Sequence, residues 1–116
     1  MLTFRLGLGI IEAPPDKCPI QKAAAALEIV GMGAPNPSSP HGPDEWIRRL
    51  ATLPLMHQPG EKWIYNIGSY VLGVLIARAS GQPFETFLRK RIFESLGMKD
   101  TGFSIPAAKL DRLATS

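Results

Sequence analysis

The chain has 116 residues, 45% of them hydrophobic and 20% charged, with a net charge of +3 and one cysteine. This is the composition of a small globular chain and not of a disordered one, and a lone Cys18 excludes an internal disulfide. Positive charge is scattered apart from Arg78 and the run Arg89-Lys90-Arg91. Without a basic stripe interleaved with aromatic residues, that run reads as a solvated helix face, and nucleic acid is not an expected partner.

Taken in chain order, residues 6–11 are apolar but soon meet Glu12, too short a stretch for a signal peptide. Localisation is left open. Residues 21–30 are alanine-rich and predict a helix stopped by Gly31. The segment 31–43 concentrates Pro and Gly and predicts a long irregular loop. A loop of that length is either functional or packed on something outside the chain. Pro43 opens a better helix: Asp44 and Glu45 occupy its first turn, and Trp46, Ile47, Leu50 and Leu53 share one face.

A further helix is predicted over 68–79 and ended by Gly81. It is apolar on nearly every face, through Val71, Leu72, Val74, Leu75, Ile76 and Ala79, and should therefore be buried. Its longest apolar run, 70–77, is far short of the roughly 20 residues of a membrane span. Pro83 starts the next helix, with Phe84, Phe87, Leu88 and Ile92 inward and Gly97 as its stop. Residues 106–114 predict a last amphipathic helix, and 101–104 at most a short extended piece.

The chemistry centres on Pro59-Gly60-Glu61-Lys62-Trp63-Ile64-Tyr65-Asn66. Tyr65 and Asn66 lie at the mouth of the apolar helix, where free N–H groups and the backbone dipole favour negative charge. A phenol ordinarily ionises near pH ~10, so it serves as a base only beside a cation and such a terminus. Tyr65 is thus either a base or an aromatic anchor for the loop. Asn66 is either a positioning residue or the helix N-cap. Ser69 has no lysine at a useful spacing and reads as a first-turn helix serine. Trp63 reads as packing the loop, and His57 as a loop histidine. Cys18, His41 and His57 make neither a zinc set nor a Cys–His pair. Gly7-Leu8-Gly9 and Gly31-Met32-Gly33 lack the third glycine of a nucleotide-binding turn.

These blocks resemble the serine β-lactamase and penicillin-binding-protein-like hydrolases, in the branch of class C β-lactamases, D-alanyl-D-alanine peptidases and esterases. That branch reads Pro-Gly-x-x-(Trp/Phe)-x-Tyr-Ser-Asn, an apolar helix, then Ser-Gly-x-Pro, matched here by Ser80-Gly81-Gln82-Pro83. It continues through Ile92-Phe93-Glu94-Ser95-Leu96-Gly97-Met98-Lys99-Asp100-Thr101-Gly102-Phe103. Met1-Leu2-Thr3-Phe4-Arg5-Leu6-Gly7-Leu8 is similar to the family's Leu-Leu-Thr-His-x-x-Gly-Leu. Phe4 stands where the family has His, Ser95 where it has Pro, and Tyr65-Asn66 is one residue shorter than Tyr-Ser-Asn.

No Ser-x-x-Lys occurs: the residues three before the six lysines are Pro14, Pro19, Pro59, Phe87, Leu96 and Pro106. The third family motif, Lys-Thr-Gly or His-x-Gly, is absent too. The resemblance therefore implies an internal part of a β-lactamase/transpeptidase-like α/β domain over 1–116, mainly α, with most of the sheet missing. In this setting the 31–43 loop is expected to pack on that sheet. The parent would cleave a small-molecule ester, amide or β-lactam through an acyl-serine. Tyr65 would be its general base and Asn66 its positioning residue, with no cofactor or metal. A non-catalytic helical binding module is the alternative.

Overall fold

A computed structural model describes residues 2–9, 17–29 and 40–114. The chain is mainly helical, with no strand among the described residues. It divides into two compact units, Met1–Leu75 and Ile76–Ser116.

In the first unit, α1 (Pro19–Ala26) starts with proline at its first position, where a missing N–H costs nothing. It ends earlier than its alanine content predicts. Glu28 takes φ +55, so its N–H donates to Ala25 O and the Ile29 N–H to Ala24 O. This is the 5→2 and 6→1 pair of a Schellman ending, and it turns Ile29 back against Ala24 in the core. Of the predicted 31–43 loop, 31–39 lie outside the described residues.

The second helix, α2 (Pro43–Leu50), begins at the predicted proline with Asp44 and Glu45 in its first turn and Arg48 and Arg49 in its last. Each charge opposes the local end of the macrodipole. Two of its side chains serve the end of α1: Trp46 Nε1 donates to Ile29 O at 3.0 Å and Arg49 Nη1 to Leu27 O at 2.9 Å. Both acceptors follow the last turn of α1, so α2 supplies donors that the helix itself cannot. The core is small. Leu8, Ala24, Ile29, Leu50 and Ile67 are buried, and Leu6, Ile20, Leu27, Trp46, Leu53, Met56 and Val71 pack around them.

The apolar helix, α3 (Ile67–Ser80), is present at the predicted place. The expectation that it is buried is corrected: only Ile67 and Gly68 are, while Tyr70 and Leu75 are about half exposed. Among the described residues, too little apolar surface packs on it to cover its other faces.

In the second unit, α4 (Phe84–Leu88) runs directly into a π-helical turn, Arg89–Phe93. The Glu94 N–H donates to Arg89 O. That five-residue register sets Glu94 over Arg89, whose guanidinium binds Glu94 at 2.6 Å and Glu85 at 3.2 Å. The segment ends in a second Schellman pair at Gly97, φ +64. The predicted 106–114 helix is instead a 3₁₀ helix over Ala107–Arg112, and within 101–104 residues 102–104 form bends and no strand occurs. Asp100 explains the tighter form: its carboxylate binds Lys109 Nζ at 2.6 Å and Arg112 at 2.8 Å. Those two residues are three apart, the spacing that a 3₁₀ helix places on one face. No residue of this unit is fully buried among those described.

Candidate functional site

Tyr65 and Asn66 end a loop that is built against the segment 2–9. The turn Gln58-Pro59-Gly60-Glu61 closes with the Glu61 N–H donating to Gln58 O at 3.1 Å. Proline precedes a glycine at φ +94 there, the pattern of a type II turn. The Glu61 carboxylate accepts from the Gln58 N–H at 2.9 Å. From this turn the chain runs alongside residues 4–7. The Ile64 N–H donates to Phe4 O at 2.8 Å, the Gly60 N–H to Arg5 O at 2.9 Å, and the Met56 N–H to Gly7 O at 2.9 Å. Arg5 Nη1 returns a bond to Gly60 O.

Two glycines permit the approach. A Cβ on Gly7, at φ +91, would lie 2.3 Å from His57 O, and one on Gly9 would lie 2.8 Å from Tyr65 O. Both distances are far inside contact, so the Gly-x-Gly of the sequence serves close backbone packing. His57 is half-buried, with its own carbonyl against Gly7.

Three rings meet at the end of this ladder. Phe4 lies 6.2 Å from Tyr65 at an interplanar angle of 23° and 5.9 Å from Trp63 at 54°, and Trp63 lies 6.1 Å from Tyr65. These separations are those of interacting aromatic pairs. Trp63 thus packs within the loop as expected, yet it is 60% exposed and Tyr65 59%. The rings form a surface rather than a core.

Asn66 has φ +82. A side-chain N-cap takes extended backbone, whereas Asn is among the few L-residues that enter the left-handed region readily. Asn66 therefore has a backbone reason for its identity that the N-cap reading lacks. Its carbonyl accepts from the Ser69 N–H at 2.9 Å. Ser69 is exposed in the first turn of α3. The structure brings Phe4, Trp63, Tyr65 and Asn66 together at the start of α3. Phe4 is the member that sequence reasoning did not place there.

The first unit also has an apolar groove of about 290 Å³, lined by Leu6, Leu8, Ile47, Leu50, Ala51, Leu53, Leu55 and Val71. No group of three or more potential metal ligands occurs among the described residues. No helix there is long and apolar enough to cross a membrane.

Comparison with known proteins makes the class definite. The profile of the Beta-lactamase family matches residues 2–116, and the chain belongs to that family. Protein Rv1367c of Mycobacterium tuberculosis is 43% identical over 74 residues, which are 64% of this chain and 18% of that protein. Esterase EstB of Burkholderia gladioli is 43% identical over 60 residues, 52% of this chain and 15% of the esterase. Lovastatin esterase of Penicillium rubens is 37% identical over 57 residues, 49% of this chain and 14% of that enzyme. The chain thus spans less than a fifth of the length of each of these relatives.

Proposed function

We propose that this chain is the part of a serine hydrolase that carries the tyrosine of its proton-transfer machinery, and that by itself it does not hydrolyse substrate. The observation behind the reading is the loop 58–66, held by the 2–9 segment, which delivers Tyr65 to the start of α3. In the complete site a serine hydroxyl attacks the carbonyl of an ester, amide or β-lactam. Tyr65 takes the serine proton and passes it to the leaving group, leaving an acyl-serine that water then hydrolyses. Asn66 positions the acyl side of the substrate. The serine and lysine of that reaction have no counterpart in these 116 residues, which is why the isolated chain is inactive.

The test is hydrolysis of a chromogenic ester and a chromogenic cephalosporin by purified chain 1–116, beside its Tyr65→Phe variant. Equal, background-level rates are expected. Turnover abolished by Tyr65→Phe would overturn the inactivity. The coding sequence around this frame adds a second check: Ser-x-x-Lys upstream and Lys-Thr-Gly or His-x-Gly downstream are expected.

The alternative is a non-catalytic helical binding module, and the apolar groove between segment 6–8 and α2 is the observation that favours it. Flanking sequence without either motif would promote that reading.

A further inference from the structure

We infer that Phe4 is a positioning residue for Tyr65, an inference that rests on the reading of Tyr65 as the general base. Phe4 departs from ordinary backbone geometry. Its φ is +54, a conformation that a bulky aromatic residue adopts only when its surroundings demand it. Two contacts account for the demand. The Phe4 carbonyl accepts the N–H of Ile64, the residue just before Tyr65. The Phe4 ring lies nearly parallel to the Tyr65 ring, with Trp63 against both. One residue thus holds the backbone leading into Tyr65 and the face of the Tyr65 ring.

Asn66, at φ +82, fixes the chain on the other side of the same tyrosine. Tyr65 is 59% exposed, so little surrounding packing restricts its side-chain torsions. A ring stacked from a backbone-anchored neighbour supplies that restriction. A base must sit within hydrogen-bond reach of the proton it takes, and a loosely held phenol spends little time there. The role belongs to the planar ring of Phe4 rather than to its volume.

The experiment is an aromatic carbon–proton NMR spectrum of the full chain labelled on tyrosine. The sequence has two tyrosines, so Tyr65→Phe assigns both, and Tyr70 serves as an internal control. Phe4→Leu keeps apolar volume and removes the ring. It should raise the mobility of the Tyr65 ring, read from its aromatic carbon relaxation, and leave that of Tyr70 unchanged, and Phe4→Trp should restore it. Unchanged Tyr65 ring mobility in folded Phe4→Leu would overturn the inference. If Phe4→Leu does not fold, the wild-type chain decides: an Overhauser contact between the Phe4 and Tyr65 rings supports it, and its absence refutes it. These readouts need no activity. A complete enzyme indifferent to Tyr65→Phe would remove the catalytic reading while leaving the ring contact measured as it stands.

Discussion

Replacing Gly7 by alanine tests the ladder that carries the site, and Gly60→Ala supplies its control. The two glycines have nearly the same backbone, φ +91 and φ +94, but a Cβ on Gly60 meets nothing within 4 Å while one on Gly7 meets His57 O at 2.3 Å. Left-handed backbone costs an L-residue about 1 kcal/mol at either position. At Gly7 the carbonyl of His57 must also retreat, which pulls the N–H groups of Met56 and His57 off Gly7 O. Losing one good hydrogen bond there costs a further ~1 kcal/mol, and leaving its groups imperfectly paired raises that toward ~2 kcal/mol. Gly60→Ala should therefore destabilise the chain by about 1 kcal/mol and Gly7→Ala by about 2–3 kcal/mol. Urea titration followed by tryptophan fluorescence measures both. If the chain is stable by less than the larger figure, Gly7→Ala is unfolded without urea while Gly60→Ala still shows a transition. Equal costs for the two variants would refute the docking of 4–7 on 56–64.

Substitutions at Asn66 separate its two structural readings. With left-handed backbone, Asn66→Gly should match or exceed the parent in stability and Asn66→Ser should lose about 1 kcal/mol. An N-cap would instead accept serine without loss, and thermal melts tell the two apart. Acid should weaken both units. Hydrogen bonds from Arg48 and then Arg49 hold Glu45 at about 2, and those from Arg112 and Lys109 hold Asp100 at about 2. A carboxylate depressed on folding stabilises above its ordinary range near pH ~4, and that contribution fades as pH falls toward the folded value. The melting temperature should therefore drop between these limits, less steeply in Glu45→Gln and in high salt. A flat profile would contradict the pairing.

The helices that could be read from sequence were those with strong local signals. Pro43 followed by Asp44 and Glu45 marks the start of α2, and the apolar run before Ser80-Gly81 marks α3. The early end of α1 was hidden because Glu28 replaces the glycine that usually takes left-handed backbone there. The π turn depends on a local shift in hydrogen-bond register, which helical periodicity does not encode. The 3₁₀ helix near the end follows from Asp100 reaching Lys109 and Arg112, a contact nine and twelve residues away.

At the site, Tyr65 and Asn66 were legible from their block, but Phe4 was not. Its place beside Tyr65 arises from backbone bonds between segments some sixty residues apart in sequence. Its positive φ has no sequence signature in an aromatic residue. The half-exposed α3 has a similar cause: its composition specifies burial, but the described residues leave Tyr70 and Leu75 about half exposed.

The most direct test of the catalytic reading is to place residues 59–103 of this chain in the matching segment of Burkholderia gladioli esterase EstB and measure ester hydrolysis. The folded chimera should retain turnover, and Tyr65→Phe within it should reduce kcat by about 10²-fold or more, the usual worth of general acid–base catalysis. A folded chimera without activity, or an active one indifferent to Tyr65→Phe, would contradict it.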